Sequence, residues 1–360
     1  MTDALSPLAA TVCIGRFQPF HHGHLALLRR ALDSAPLCVV VLGSAHQARS
    51  PRNPFTWEER RELVRLALPA ADRERLLFLP VRDYYDADRW AAVLARGVEQ
   101  LLAGHGVPAG ADIALVGHFK DASSAYLRSF PHWKLVDVEP LPAVGAAAMR
   151  DAYFHVAARD VDATLAALVS QAPASTLEFM RAWAVQPHFA AVAREWRALR
   201  SSREQWADAP YPPVFVTVDA VVRCADHVLL IRRGHPPGEG LLAVPGGFVE
   251  QRETLYESAV RELTEETRLH LLETTMRQCL KAVAVFDHPD RSQRGRTITH
   301  AHYFDLGDRA LPDVMAGDDA RDAQWVGIDR LLQLEDRFNE DHFHMLDHFL
   351  GLTATEWPTP

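Results

Sequence analysis

The sequence has little of what marks secreted, membrane-spanning or zinc-binding proteins. Its 360 residues include only four cysteines. They lie far apart and mostly in apolar runs, which favours reduced core residues over a disulfide framework or a zinc site. No segment approaches the ~18 consecutive apolar residues of a membrane span, and the first residues carry no signal-peptide pattern. We therefore expect a cytoplasmic protein that does not engage a membrane.

An excess of positive charge is also missing. The chain has 38 Lys and Arg against 47 Asp and Glu, a formal net charge of -9 at pH 7. This balance argues against a general nucleic-acid-binding protein but allows a local basic pocket for phosphates. Contents of 48% hydrophobic and 24% charged residues are typical of a globular protein, and the length suits two domains. The sequence leaves open whether the chain forms a homo-oligomer.

The first half of the chain alternates strand-like and helix-like segments. Apolar runs typical of strands cover residues 11–17, 37–42, 76–81, 113–117 and 135–138. This alternation predicts an α/β fold with a doubly wound parallel sheet, whose ligands bind beyond the carboxyl ends of the strands. Polar residues that interrupt the apolar pattern fall at the carboxyl ends of these strands, which indicates a nucleotide site there.

The loop after the first strand is the most informative of these ends. It carries His21, His22 and His24 around Gly23, and a helix follows it. Backbone N–H groups and imidazoles at a helix N-terminus form a phosphate-binding arrangement. A lone histidine there is more often structural, but three histidines with Arg16 just upstream favour a functional role.

Residues 15–24 resemble the G-x-F-x-P-x-H-x-G-H signature of the nucleotidylyltransferase superfamily. Through about residue 190 the chain is similar to archaeal-type nicotinamide mononucleotide (NMN) adenylyltransferases. The resemblance implies adenylyl transfer from ATP to NMN, giving NAD and pyrophosphate, with Mg²⁺ accompanying ATP. It implies catalytic roles at the ATP phosphates for His21, His24 and Arg150. The nucleotide-binding residues it implies are Gly15, Arg16, Phe17, Asp83, Trp90 and Gly117, with Asp83 and Trp90 on the nicotinamide.

One motif departs from that family. Its second signature, approximately I-S-x-T-x-x-R, corresponds to residues 144–150, where Gly145 and Ala147 replace both hydroxyl residues and Arg150 is kept. A lost hydrogen bond to a charged phosphate costs roughly 1.5–3 kcal/mol, which is about 10- to 100-fold in rate. We therefore predict a weakened but active transferase.

The middle of the chain predicts a change of domain. Residues 159–206 are rich in Ala and Arg and indicate two or three helices that close the first domain. A proline-rich link follows at residues 209–213. The predicted domains are residues 1–206 and 207–360.

A second motif lies on a helix predicted from about Thr254. Glu262, Glu265 and Glu266 stand at i, i+3 and i+4 and converge on one face. Clustered carboxylates repel one another unless a cation lies among them, and oxygen ligands suit Mg²⁺ or Mn²⁺. A solvated acidic helix face is the alternative.

This stretch resembles the Nudix signature, G-x5-E-x7-R-E-U-x-E-E-x-G-U. The matching positions are Gly247, Glu253, Arg261, Glu262, Leu263, Glu265, Glu266 and Leu269. Arg268 stands where the signature has its second glycine. The resemblance implies a C-terminal Nudix α/β/α sandwich over roughly residues 212–350. It implies metal binding by the three glutamates, with Gly246, Glu250 and Glu253 as further ligands or support.

The substrate of this domain is indicated by three other segments. Residues 286–292, 294–296 and 317–320 resemble NAD-linked ADP-ribose pyrophosphatases, which implies hydrolysis of ADP-ribose to AMP and ribose 5-phosphate. Arg294 and Arg296 are candidates for the phosphate or ribose, with solvated side chains as the alternative. Glu340 and Asp341 are candidates for the general base, and a surface loop is an equal alternative there.

The whole chain therefore resembles a bifunctional family of NAD metabolism, with ATP, NMN, NAD and ADP-ribose as its partners. One alternative is a hydrolase whose first domain is degenerate and binds nucleotide without turnover. Another is an ADP-ribose-sensing regulator. Such regulators carry a winged helix, which the sequence does not show, and often an eroded glutamate cluster, which here is intact.

Overall fold

The computed structural model describes residues 8–117, 128–139 and 145–354, and the chain divides into two compact units between Ala193 and Arg194. Within the described ranges, no helix combines the length and the apolar character that crossing a membrane requires. The division lies inside a helix, Pro187–Glu204, and the domain boundary near residue 207 stays a prediction.

The first unit is built on a five-stranded parallel sheet in the order β3-β2-β1-β4-β5. Its strands are β1 (Ala10–Gly15), β2 (Leu37–Leu42), β3 (Leu76–Pro80), β4 (Ile113–Gly117) and β5 (Lys134–Asp137). The strand order reverses between β1 and β4, which makes the carboxyl ends of these strands the expected ligand site. The predicted doubly wound sheet is confirmed.

Helices cover this sheet and close the unit. They are α1 (His22–Ser34), α2 (Trp57–Leu66), α3 (Ala70–Arg73), α4 (Ala87–Ala103), α5 (Ala146–His155), α6 (Val161–Ala167), α7 (Ala174–Ala184) and α8 (Pro187–Glu204). Helix α2 begins with a capping box, since the Thr56 side chain accepts from Glu59 N–H and the Glu59 side chain accepts from Thr56 N–H. Helices α6 to α8 agree with the two or three helices expected over residues 159–206.

The second unit contains a seven-stranded mixed sheet. Its main path is β10-β11-β6-β7-β12, with β8 paired to β7 and β9 to β6. The strands are β6 (Val214–Cys224), β7 (His227–Arg233), β8 (Leu242–Ala243), β9 (Gly246–Phe248), β10 (Leu280–Phe286), β11 (Arg296–Asp305) and β12 (Ala320–Gly327). Strands β6 and β7 pair antiparallel as a hairpin.

Helices lie on both faces of this sheet. Successive side chains of β6 point to opposite faces, and apolar ones on each face are covered by helices. Val221 belongs to the core beneath a 3-10 helix (Ile328–Arg337) and α11 (His342–Leu350). Ala220 and Val222 belong to the opposite core, beneath α9 (Leu255–Thr267) and α10 (Glu273–Cys279). This arrangement is the predicted α/β/α sandwich.

Candidate active sites

The end of β1 turns sharply into the histidine loop. Phe17 has a positive φ of 52°, and its buried ring lies against Gly15, where an added Cβ would come within 3.0 Å of the ring. Glycine therefore lets the chain turn back over the strand end. Gln18 holds the loop, since its side chain bonds both the N–H and the carbonyl of Phe55.

His21 and His24 cap the N-terminus of α1 reciprocally. The Nδ1 atom of each imidazole accepts from the backbone N–H of the other residue at 3.3 Å. The rings stack with centroids 3.6 Å apart. Because both Nδ1 atoms accept, the proton of each neutral imidazole lies on Nε2. Phe17 packs edge-on against His24 and helps to orient its ring.

Arginines supply positive charge near this helix end. Arg150, on the first turns of α5, donates to the carbonyl of Gln18. Burial, together with repulsion from nearby Arg16, lowers the pKa of Arg150 to about 10. Arg16 itself is exposed. The structure thus brings together the predicted phosphate-binding residues His21, His24, Arg16 and Arg150 at one strand end.

Arg60 is a residue of this site that sequence reasoning missed. Its fully buried guanidinium donates to the carbonyls of Arg16, Gly43 and Ser44. It therefore ties the ends of β1 and β2 together from beneath. Burial lowers its pKa to about 10, which the Asp83 carboxylate partly offsets. Its place in the amphipathic pattern of α2 gives no sign of this role.

The Asp83 carboxylate, just after β3, is hydrogen-bonded by side chains of the same unit. Its Oδ2 accepts from the Ser44 hydroxyl at 2.7 Å and from the Gln47 amide at 2.8 Å. Burial raises its pKa, and the Ser44 hydrogen bond counteracts that rise. Trp90 is partly buried, packs on the core of the sheet and meets Phe130 edge-on with centroids 6.0 Å apart.

The last predicted residues of this site are described only in part. Gly117 ends β4, beside the reversal of strand order. Residues 118–121, which sequence analysis places directly after it, lie outside the described residues. Gly145 caps α5 without a side-chain hydrogen bond, so the helix start is kept despite the lost hydroxyl.

In the second unit, Arg261 organises the signature glutamates. Its Nε donates to Glu253 at 2.9 Å, and its Nη1 donates to Glu262 at 2.8 Å and to Glu265 at 3.0 Å. Arg261 and Glu253 therefore form an ion pair. Ser258, which sequence reasoning missed, also donates to Glu253 at 2.7 Å. Glu262 and Glu265 converge on one cationic nitrogen.

Glu266 lies apart from that nitrogen and is buried. Its Oε2 accepts from the N–H of Gly246 at 2.9 Å. Burial raises its pKa to about 8, although the Gly246 hydrogen bond lowers it. Among the described residues, no three His, Cys, Asp or Glu side chains are grouped so as to hold a metal ion. The structure thus brings Glu262 and Glu265 together but leaves Glu266 directed to the turn.

Both turn glycines have close neighbours. An added Cβ at Gly247 would lie 2.4 Å from Glu262 Oε1, and one at Gly246 would lie 2.5 Å from Asp219 Oδ1. Neither position tolerates a side chain without displacing a carboxylate. Gly246 acts through its backbone, and Glu250 is exposed.

Arg268, the departure from the signature, caps α9 in the left-handed conformation with φ 53°. The turn that glycine would make is therefore kept. A Cβ at Gly317 would lie 2.7 Å from Arg268 Nε and 2.4 Å from the Glu265 carbonyl. The following loop is bound to the helix end, since Gly317 N–H donates to the Glu266 carbonyl.

The two candidate general bases differ in their surroundings. Asp341 forms a buried two-point ion pair with Arg291 at 2.8 and 2.9 Å. Burial raises its pKa to about 6, and Arg291 counteracts the rise. Glu340 accepts from the Ser292 hydroxyl and from Gln293 N–H. Both carboxylates therefore order the loop around Arg291, which the sequence did not reveal.

The two candidate substrate arginines also differ. Arg296 donates to the Asp287 carbonyl and is engaged within its loop. The Arg294 guanidinium lies over the Phe248 ring, 5.5 Å from its centroid, and donates to no acceptor among the described residues. Burial lowers the pKa of Arg294. Arg294 is the better placed of the two for a ligand anion.

Comparison with known proteins decides the family. Over 96% of this chain and 99% of the other, the fold is similar to the crystal structure of a bifunctional NMN adenylyltransferase/ADP ribose pyrophosphatase from Francisella tularensis complexed with AMP and Mn ion, with a TM-score of 0.85 and 30% identity. The chain belongs to this bifunctional family. The family, fold class and enzyme activities predicted from the sequence are confirmed.

Other relatives match one half each. The nicotinamide/nicotinic acid mononucleotide adenylyltransferase of Acinetobacter baylyi is 32% identical over 53% of this chain and 95% of its own length. The ADP-ribose pyrophosphatase of Methanocaldococcus jannaschii is 36% identical over 33% of this chain and 65% of its own length. Residues 12–103 match the cytidylyltransferase-like family and residues 213–349 the NUDIX domain family.

Proposed function

We propose that the first unit makes NAD by transferring the adenylyl group of ATP to NMN at the end of β1. The observation that supports this most is the reciprocal cap of His21 and His24, which fixes both imidazoles at the α1 N-terminus. Arg16 and Arg150 add positive charge beside them. Such donors stabilise the charge that builds up on the phosphates in the transition state.

The acceptor nucleotide is assigned to Asp83 and Trp90. The Asp83 carboxylate accepts from Ser44 and Gln47 through one oxygen, Oδ2. Its Oδ1 is then the acceptor proposed for a nicotinamide N–H group. In this direct transfer the NMN phosphate attacks the α-phosphorus of ATP and pyrophosphate leaves. The protein contributes alignment and charge, and needs no covalent intermediate.

We propose that the second unit hydrolyses ADP-ribose to AMP and ribose 5-phosphate. Mg²⁺ or Mn²⁺ fits the donor set, because Glu262 and Glu265 offer carboxylate oxygens that already converge on a positive centre. Glu266 is the proposed third ligand, and Glu253 holds Arg261 in place. The bound ion supplies charge neutralisation at the pyrophosphate and activation of water.

A two-substrate assay tests both proposals. One reaction contains NMN, ATP and Mg²⁺, and the other contains ADP-ribose and Mg²⁺. We expect NAD in the first and AMP with ribose 5-phosphate in the second, with hydrolysis lost on chelation and regained with Mg²⁺ or Mn²⁺. Absence of NAD would contradict the transferase assignment, and hydrolysis that survives chelation would contradict the glutamate site.

A further inference from the structure

Three aromatic side chains form an exposed strip in the second unit. Trp206 and Phe248 are each 48% exposed, and Phe215 lies half-buried between them. Ring centroids are 5.5 Å apart for Trp206 and Phe215 and 5.9 Å apart for Phe215 and Phe248, both edge-on. Among the described residues, none of the three belongs to the hydrophobic cores on the two faces of the sheet. Packing of the core therefore does not account for this aromatic strip.

The aromatic strip is continuous with the glutamate site. Phe248 follows the turn glycines directly, and its carbonyl accepts from Arg261 Nη2 at 3.1 Å. The same guanidinium holds Glu262 and Glu265. A substrate whose pyrophosphate lies at the glutamates therefore has the Phe248 ring within the reach of its attached groups.

Arg294 supports the Phe248 ring from one side. Its guanidinium is 5.5 Å from the ring centroid, a cation–π distance. It makes no hydrogen bond to an acceptor among the described residues. Nearly half of the Phe248 surface stays open. An electron-rich aromatic face, held by a cation and open to solvent, suits stacking with a flat heterocycle.

The composition of ADP-ribose indicates which of its groups stacks on the aromatic strip. ADP-ribose consists of two riboses, two phosphates and a single aromatic group, the adenine. We propose that Phe248 is the stacking platform for the adenine of ADP-ribose. Phe215 and Arg294 fix the orientation of the Phe248 ring. The inference rests on the proposed hydrolase function. It assigns the base end of the substrate to the aromatic strip.

The test removes the Phe248 ring and compares ligands that contain the base with a ligand that contains only the sugar phosphate. We expect Phe248→Ala to raise the KM for ADP-ribose by about 5- to 100-fold, the range for losing one base–aromatic stack, with kcat changed less than about threefold. Product inhibition gives the second measurement. The inhibition constant of AMP is expected to rise by a similar factor, whereas that of ribose 5-phosphate, which has no base, stays unchanged.

Two further variants serve as controls. Phe248→Trp keeps an aromatic face and is expected to retain a KM near that of the wild type. Val285→Ala removes another exposed apolar side chain, 55% exposed on edge strand β10, and is expected to change neither inhibition constant. A kcat for ADP-ribose hydrolysis close to that of the wild type reports that the second unit of each variant is folded.

Equal weakening of AMP and ribose 5-phosphate inhibition by Phe248→Ala would overturn the inference, as would no change in either. A KM that Phe248→Trp fails to retain would also overturn it. Failure of the wild type to hydrolyse ADP-ribose is a distinct outcome, which would overturn the proposed hydrolase function itself.

Discussion

Side chains of opposite charge line the two sites, although both sites are proposed to act on a pyrophosphate group. At the end of β1 the protein itself provides cations and donors, from Arg16, Arg150 and the capped imidazoles at a helix N-terminus. On α9 it provides carboxylates from the side of a helix, and Arg261 offsets only part of their charge. A nucleotide can therefore be bound directly at the first site, whereas the second site needs an added cation before phosphate can approach.

The difference also appears in what holds each site. Arg60 and Gln18 fix the first through bonds to backbone atoms. The second is fixed by backbone that leaves no room for side chains, at Gly246 and Gly247. The first site should therefore be sensitive to loss of donors and the second to loss of charge or to added volume.

The largest effect is expected from Glu265→Gln, which removes a charge and keeps the shape. We expect kcat/KM for ADP-ribose hydrolysis to fall by about 1,000-fold or more, because the proposed metal site would lose an anionic ligand. NAD formation should be unchanged. Steady-state assays of both reactions on one preparation check this.

The matched control for that variant is Glu273→Gln on the exposed first turn of α10. It also removes one negative charge and is expected to leave hydrolysis unaffected. Equal loss of both activities in Glu265→Gln would contradict the independence of the two sites.

The next largest effect is expected at the first site from His24→Ala. Loss of its imidazole removes a proposed phosphate donor and breaks the reciprocal cap with His21. We expect NAD formation to fall by about 100-fold, with ADP-ribose hydrolysis retained. His22→Ala is the matched control, because His22 begins α1 between the two capping histidines but its side chain takes no part in the cap. Unchanged NAD formation in His24→Ala would remove His24 from the mechanism.

Gly247→Ala probes the second site by volume. Gly247 has no positive φ, so alanine does not strain its backbone, but the added Cβ would meet the Glu262 carboxylate at 2.4 Å. That side chain must rotate away, and we expect hydrolysis to fall by about 10- to 100-fold. The apparent affinity for Mg²⁺, measured by titration of activity, should fall with it. Full activity at the wild-type Mg²⁺ requirement would show that the position of Glu262 is not critical.

Sequence reasoning predicted the parts of these sites that local spacing determines. The Glu262–Glu265 pair and the histidine loop are each contained within a few residues. It missed contacts made across long stretches of chain. Arg60 reaches the carbonyl of Arg16, and Arg291 pairs with Asp341 fifty residues away. No periodicity encodes such pairs, because they exist only once the strands are assembled.

The smallest effect is expected from restoring the hydroxyl residues of the second transferase motif. A Cβ at Gly145 would meet nothing within 4 Å, and Ala147 is exposed on the first turn of α5. The double variant Gly145→Ser, Ala147→Thr therefore fits without strain, and serine is also a good N-cap. We expect kcat/KM for NAD formation to rise by about 10-fold, the lower end of the range for gaining one hydrogen bond to a charged phosphate. Gly145→Ala, Ala147→Val adds similar volume without hydroxyls and should not raise the rate. A gain in both variants would assign the effect to helix stability, and a gain in neither would show that the cations alone already saturate the phosphates at this site.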